Sequence, residues 1–303
     1  GLALIGARRY GRIRPATLGL LAIGLIFFDL SSTGSYIDLG ASDPTANFEQ
    51  QEIISFLHAD DSLYRIDART DIDQWWQPDT AIVHGLYDVW GIVNPLALRD
   101  AIRYWESMGS RSSRLYDALN VKYVIGRKDV ELDWERFAPV FDGAPDLNVY
   151  LNTQALPRAW LVHDVIGATD HEDAFRRIHE ADFDPGQSVV LEADVAPAGR
   201  SSGQDHVRIV AMRPNRIVLD VETEAGGIVV LSEVFYPGWI ARVNGQRAPV
   251  LRANYLFRAV EAPAGASRIV LTYSPALWWL GLGLCALTLL AVVGGGALLR
   301  RRR

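Results

Sequence analysis

The chain has 303 residues, of which 49% are apolar, and a formal net charge of −6 at pH 7. Eight of the 30 basic residues are arginines at positions 8–14 and 300–303, so the rest of the chain carries 22 basic and 35 acidic residues, a net charge of −13. Such a surface argues against nucleic acid or anionic lipid as its partner, because a negatively charged surface repels both. The single cysteine, Cys285, lies in an apolar segment and excludes a disulfide and a thiolate metal site.

Two apolar segments lie near the ends of the chain. Residues 16–28 form a run of 13 apolar residues, or 15 when it is extended to residue 30, and residues 276–299 form a run of 24 without a charge. A spanning helix usually needs about 20 residues, but the flanking arginines at 12 and 14 can snorkel. We therefore predict transmembrane helices at residues 16–30 and 275–299, with a buried or re-entrant helix as the alternative for the first. Asp29 lies at its outer edge, where it is hydrated or, alternatively, a functional intramembrane acid.

Both arginine clusters fall on the same side of these two helices. The positive-inside rule makes that side cytoplasmic. Residues 1–15 are then the end of a preceding helix and a cytoplasmic arginine-rich loop, and residues 300–303 a cytoplasmic tail. We expect the chain to be the C-terminal fragment of a larger multi-pass protein of the bacterial cytoplasmic membrane, with residues about 31–274 extracytoplasmic.

Residues 31–165 mix helical and strand patterns, which predicts an α+β region. Helices are indicated where apolar residues recur every three or four positions, and strands where β-branched residues cluster. The helices are expected at residues 49–58, 96–108 and 114–119, and the strands at 64–68, 121–125, 149–151 and 159–162.

Residues 166–274 predict a β-sandwich region with one amphipathic helix, at residues 170–182. Strands are expected at residues 188–191, 207–212 and 217–221, and four more lie between residues 228 and 275. Among these, Asn244-Gly245 is the pair that best fits a two-residue type I′ hairpin turn. The predicted fold class is a membrane-anchored α+β extracytoplasmic domain followed by an antiparallel β-sandwich, flanked by two transmembrane helices.

Several stretches resemble the YfhO family of bacterial multi-pass membrane proteins. The clearest are SEVFYPGWIARVNG (232–245) and RANYLFRAVEAPAG (252–265), followed by a strand and a terminal apolar helix. Three upstream stretches point the same way: GLYDVWGIVNPLALRDAIRYW (85–105), LNVKYVIG (119–126) and ALPRAWLV (155–162).

The resemblance implies a membrane glycosyltransferase of the GT-C type, which takes a sugar from a polyprenyl-phosphate carrier outside the cytoplasm. Its catalytic carboxylate belongs to an early extracytoplasmic loop, so this fragment is expected to lack the catalytic base. Its implied role is to cap the membrane bundle or to recognise an envelope glycan or polymer as acceptor. The alternative is a non-catalytic, membrane-tethered module that binds carbohydrate or protein.

Candidate ligand-binding residues are aromatic and polar side chains that suit carbohydrate, because sugar faces stack on tryptophan while hydroxyls bond to amides and carboxylates. For each of them a structural role in a core, a corner or a turn is the alternative. They are Trp75 and Trp76, then Asp88, Trp90 and Asn94 in the 85–105 motif, and Glu233, Tyr236, Trp239, Asn254 and Tyr255 in the C-terminal motifs.

No cofactor, metal or catalytic residue is predicted for the fragment. The sequence contains no nucleotide-binding glycine-rich loop, HExxH, CxxC or GxSxG motif. His171 and His179 are eight positions apart, whereas metal ligands on one helix are more often three or four apart. Adjacent acids such as Asp60-Asp61 are interpreted as solvated charges, because glycosidase carboxyls must face each other across a sugar.

Overall fold

The structure is a computed structural model that describes residues 14–34, 48–90, 97–130, 136–193 and 205–301. The chain divides into two compact units, Gly1–Glu49 and Gln50–Arg303. The described part of the first unit contains helix α1 (Pro15–Gly34). In its described residues, the second unit is a β-rich α+β structure with three sheets.

The helices of the second unit are short, apart from the last. They are α2 (Gln51–His58), α3 (Thr80–Val83), α4 (Arg99–Ser107), α5 (Arg114–Asp117), α6 (His171–Arg177) and α7 (Ala276–Arg301). Helix α6 begins where the Asp170 carboxylate accepts a hydrogen bond from the Asp173 N–H at 2.7 Å, a helix cap. It is shorter than the predicted 170–182, because tighter i→i−3 bonds from His179 and Glu180 close its end.

Sheet 1 contains β1 (Arg65–Asp67), β2 (Val121–Arg127), β3 (Phe137–Phe141) and β4 (Leu147–Asn152), in the order β1-β2-β4-β3. Strands β1 and β2 are parallel, and the other pairs are antiparallel. Helix α2 covers this sheet with Ile53, Ile54 and Leu57, its buried residues at helical spacing. The α+β prediction for this region is confirmed.

Sheet 2 has six strands in the order β5-β10-β14-β13-β7-β6. They are β5 (Ala159–Val162), β6 (Asp164–Gly167), β7 (Ser188–Leu191), β10 (Gly227–Val234), β13 (Leu251–Ala253) and β14 (Phe257–Ala262). Sheet 3 has five antiparallel strands in the order β12-β11-β15-β9-β8. They are β8 (His206–Arg213), β9 (Arg216–Thr223), β11 (Trp239–Val243), β12 (Gln246–Ala248) and β15 (Gly265–Tyr273).

Sheets 2 and 3 share one hydrophobic core. Leu231 and Val260 from sheet 2 pack in the same cluster as Leu219, Ala241 and Leu271 from sheet 3. The opposite face of sheet 2 belongs to a second cluster that also contains side chains of α4, α5 and α6. Sheet 2 is therefore the central layer of the second unit.

Two turns in the C-terminal strands follow the sequence signals. Asn244 and Gly245 have φ values of 51° and 84° and join β11 to β12, as a type I′ hairpin requires. At Pro237-Gly238 the chain passes from sheet 2 to sheet 3, and the Ser274 N–H donates to the Gly238 carbonyl at 2.8 Å. This bond places the 235–238 corner against the residues that lead into α7.

The two predicted transmembrane segments are helical, as α1 and α7. Both expose large apolar side chains, including Leu20 (72% exposed), Phe28 (70%), Leu277 (79%) and Trp278 (65%). Among the described residues, no helix combines the length and the apolar character needed to cross a membrane.

Candidate functional site

Trp75 and Trp76 do not form the exposed aromatic pair expected from the sequence. Trp76 is 1% exposed and packs in the core of sheet 1, so its faces are not available to a sugar. Trp75 is half-buried, and the Arg127 guanidinium lies 5.2 Å from its ring centroid. Trp76 therefore has the structural role that was the alternative, because apolar contacts with the sheet bury its indole, and ligand contact by Trp75 stays a prediction.

The 85–105 motif contributes an aromatic pair of a different composition. The Asp88 carboxylate accepts a hydrogen bond from the Trp90 N–H at 2.9 Å, which holds the turn before the indole. The Trp90 ring lies 5.2 Å from the Trp105 ring, tilted by 44°, and the Arg69 guanidinium lies 4.3 Å from the Trp90 centroid. Asn94, also predicted to bind ligand, lies outside the described residues.

These two indoles border a cavity of about 340 Å³ between α4 and sheet 2. Most of its lining is apolar, from Trp90, Trp105, Tyr104, Ala101, Ile102, Val89, Ala97, Leu119, Val234, Leu256 and Phe257. Its polar lining is the Arg65 side chain and Ser232. A concave apolar cavity with a few polar groups is typical of a small-molecule site. We call it the Trp90 pocket.

Next to the Trp90 pocket, three arginines converge on one carboxylate, that of Glu233. Arg158 contacts it most closely, with Nε and Nη2 at 2.8 and 2.7 Å from Oε1. Arg65 Nη2 lies 3.2 Å from Oε1, and Arg258 Nη2 lies 3.3 Å from Oε2. We call these four residues the arginine cluster.

Aromatic rings lie against two of the cluster's guanidinium groups. The Arg258 guanidinium is 4.0 Å from the Trp239 ring centroid, and the Arg158 guanidinium is 4.9 Å from that of Tyr87. Such cation–π contacts stabilise a guanidinium charge, more strongly where water is excluded. Tyr236, 47% exposed, lies beside the corner, with its ring 6.4 Å from that of Tyr273. The structure thus brings Glu233 and Trp239 into one site.

Burial lowers the pKa of two guanidinium groups in the cluster. For Arg65, burial and the neighbouring Arg158 charge lower the pKa to about 10. For Arg258, burial lowers the pKa to about 10, although the Glu233 carboxylate opposes the shift. Both groups still carry their charge at pH 7, so the cluster holds more positive than negative charge.

Asn254 and Tyr255 form a buried turn, and this gives them a structural role. Their φ values are 48° and 67°. The Asn254 side-chain oxygen accepts a hydrogen bond from the Val190 N–H at 2.8 Å, and the Asn254 backbone N–H donates to the Val190 carbonyl at 2.8 Å. The Tyr255 ring is fully buried and stacks on His171 at 4.2 Å. Neither side chain is open to a ligand, which corrects the expectation of ligand contact.

His171 lies in a second polar cluster. Its Nδ1 is 2.7 Å from Glu192 Oε1 and its Nε2 is 3.2 Å from Asp100 Oδ2, while Arg252 Nη1 donates to the same Asp100 oxygen at 2.9 Å. The two carboxylates bind opposite ring nitrogens and therefore do not converge on one point. Within the described ranges, no group of three or more His, Cys, Asp or Glu side chains is arranged to hold a metal ion.

Comparison with known families gives a match in the C-terminal part of the chain. Residues 198–285 match the family model described as bacterial membrane protein YfhO. The resemblance of this part of the chain to the YfhO family is confirmed. The YfhO-like segment contains Glu233, Tyr236, Trp239 and Arg258, whereas Trp90 and the other upstream stretches lie outside the match. No curated protein and no solved structure matches the chain.

The sequence interpretation missed Arg65 and Arg158, which complete the arginine cluster. Arg158 directly precedes the buried strand β5, and Arg65 begins β1, so each is a charge next to a buried strand. This is a weak signal, because a charge at a strand end is usually solvated. Only the folded arrangement of β1, β5 and β14 brings the three guanidinium groups to Glu233.

Proposed function

We propose that this chain is the C-terminal, extracytoplasmic part of a YfhO-like membrane glycosyltransferase, and that it recognises the acceptor glycan through the Trp90 pocket. In this scheme the parent protein takes a sugar from a polyprenyl-phosphate carrier, and the catalytic base lies elsewhere in it. The match of residues 198–285 to a bacterial membrane protein family supports the membrane location.

The observation that carries acceptor recognition is the tilted pair of Trp90 and Trp105 in the lining of a cavity of about 340 Å³. Pyranose rings present C–H groups that pack on indole faces. The Trp90 Nε1–H is buried and has no acceptor among the described residues. A buried indole N–H normally finds a partner, and a sugar hydroxyl supplies one.

The terminal helices give the domain its proposed place at the membrane. Contiguous exposed apolar side chains of the kind seen on α1 and α7 are typical of lipid contact. With the arginine clusters cytoplasmic, residues about 31–274 lie outside the cytoplasm. In this arrangement sheets 2 and 3, which enclose one core, form a β-sandwich joined to the bilayer through β15 and α7, although strands β6 and β7 of sheet 2 are parallel and not antiparallel as predicted.

The carboxylates near the Trp90 pocket favour a non-catalytic role for this part of the protein. Glu233 is held by three arginines. Asp67 is fully buried and accepts hydrogen bonds from Arg111 Nε at 2.7 Å and the Tyr116 hydroxyl at 2.6 Å. Both carboxylates are thus already engaged by neighbouring donors, and neither presents an unpaired carboxylate to a ligand in the pocket. A membrane-tethered carbohydrate-binding module is the second function that fits.

Acceptor recognition is tested with the full chain in detergent micelles. Titration with a panel of soluble envelope glycans is expected to give saturable binding by calorimetry. Trp90→Leu should weaken it at least tenfold, about 1.4 kcal/mol, whereas Trp75→Leu, a half-buried tryptophan elsewhere, should not. Absence of saturation with every glycan, or equal losses in both variants, would exclude the pocket. Sugar transfer by this chain alone from a polyprenyl-phosphate donor would contradict the non-catalytic role.

A further inference from the structure

The arginine cluster contains more positive charge than its own carboxylate neutralises. Three guanidinium groups surround Glu233, and their side chains are only 14% (Arg65), 5% (Arg158) and 5% (Arg258) exposed. Charge that is shielded from water is costly unless it is paired. The excess of positive charge in the arginine cluster therefore favours the binding of a second anion there.

Hydrogen bonding shows which arginine has spare donors. Arg65 uses both terminal nitrogens, donating to the Leu119 carbonyl and to the hydroxyl and carbonyl oxygens of Ser232 as well as to Glu233. Arg258 donates only from Nη2, over 3.3 Å. Its Nε and Nη1 are buried and have no acceptor among the residues that the structure describes. Unpaired buried donors are rare in folded proteins and point to a missing acceptor.

We propose that the arginine cluster binds one phosphate group, a monoester or a diester, with Arg258 as its principal donor. Arginine suits this ligand because its planar set of N–H donors matches phosphate oxygens. A single phosphate fits better than a polyanion, because residues 31–274, the cluster included, carry a net charge of −13. The phosphate can belong to a soluble ester or to a lipid headgroup.

Trp239 packs against the principal donor of the phosphate site, and Glu233 competes with the phosphate for that donor. The Trp239 ring lies 4.0 Å from the Arg258 guanidinium and is half-buried. Glu233, at 18% exposure, already accepts from all three arginines. An incoming phosphate competes with this carboxylate for the same donors, so neutralising Glu233 should strengthen phosphate binding.

The test uses the full chain in a phosphate-free maltoside detergent, with calorimetric titration of inorganic phosphate and of glycerophosphoglycerol as a soluble diester. Saturable binding to at least one of them is expected. Arg258→Lys should weaken it at least tenfold, because an ammonium group lacks the planar donor set, and Glu233→Gln should strengthen it several-fold. Arg247→Gln, at an exposed arginine of β12, should leave affinity unchanged. Thermal unfolding without ligand confirms that each variant is folded.

A second arm distinguishes the two sources of phosphate. Wild-type chain in nanodiscs with and without phosphatidylglycerol is titrated with the same soluble probes. Loss of soluble binding only with phosphatidylglycerol identifies a lipid headgroup as the occupant, and unchanged binding identifies a soluble ester. The proposed site would be overturned if phosphate binding did not saturate, or if chloride at equal ionic strength gave the same heats. It would also be overturned if Arg258→Lys bound phosphate as tightly as the wild type. The glycan titration with Trp90→Leu tests other side chains than the phosphate titration. Glycan binding and phosphate binding can therefore be refuted independently of each other.

Discussion

Asp117 is the single residue whose titration should be visible in the stability of the protein. Its carboxylate is 5% exposed and contacts Asn152 and Arg136. Burial raises its pKa from 3.8 to about 6, and the hydrogen bond from Asn152 and the Arg136 charge only partly oppose the shift. The folded state thus holds this proton more tightly than the unfolded chain does. Its contribution to stability is complete below about pH 4 and is lost as the pH rises through 6.

The Asp117→Asn variant should remove this pH dependence. We expect the free energy of unfolding of the variant, relative to the wild type, to increase by on the order of 2 kcal/mol between pH 4 and pH 7. Urea unfolding at several pH values measures the difference. Asp146→Asn, at an exposed carboxylate, serves as the control and should show no such trend. If the difference in free energy of unfolding between Asp117→Asn and the wild type stayed constant from pH 4 to pH 7, burial would not be raising the pKa of Asp117.

At the scale of elements, local signals in the sequence predicted several helices and the turn between β11 and β12, but not the short helix α3. Asn244-Gly245 predicted its hairpin because the positive φ of such a turn depends only on the two residues themselves. Helix α2 was predictable because its buried residues share one face. The arginine cluster was not predictable, because its contacts with Glu233 join residues 168, 75 and 25 positions apart. Strand pairing decides those contacts, and no short stretch encodes it.

Substitutions of the two glycines that flank β11 distinguish the energetic cost of backbone strain from that of close packing. Gly245 has a φ of 84° and open space where a Cβ would lie, whereas Gly238 has a φ of 102° and a Cβ there would lie 3.0 Å from the Pro275 Cβ. Gly245→Ala should therefore lower the free energy of unfolding by about 1 kcal/mol, because it introduces backbone strain only. Gly238→Ala should cost more, about 2 to 4 kcal/mol, because overpacking adds to the strain.

Urea unfolding of both glycine variants gives the comparison. Gly238→Ala is also expected to disturb the rings of Tyr273 and Trp239, which lie 5.4 Å apart beside this corner, so near-ultraviolet circular dichroism should change in this variant only. Equal costs for the two variants, or a larger cost at Gly245, would mean that the corner adapts to a methyl group and does not fix the approach of the chain to α7.

At the scale of the whole second unit, sheets 1 and 2 are joined by polar and apolar contacts. Arg65, the first residue of β1, donates to the Ser232 hydroxyl at 2.9 Å, and that hydroxyl donates to the Ala118 carbonyl at 2.7 Å. One hydrophobic cluster also includes Val124 of sheet 1 and Val230 and Phe257 of sheet 2. Because the contacts are shared in this way, we expect the two sheets to unfold together.

Ser232→Ala tests this coupling, because it removes a buried hydroxyl that accepts from Arg65 and donates to the Ala118 carbonyl between the two sheets. The loss should lower the free energy of unfolding by about 1 to 3 kcal/mol. Hydrogen exchange read by mass spectrometry should show equal losses of protection in peptides from β2 and from β10, since both strands open in one event. Ser267→Ala, which alters a buried hydroxyl of sheet 3 that has no hydrogen-bond partner among the described residues, should cost less. Loss of protection confined to β10 would show that sheet 1 folds separately, and the arginine cluster would then form only when the two sheets meet.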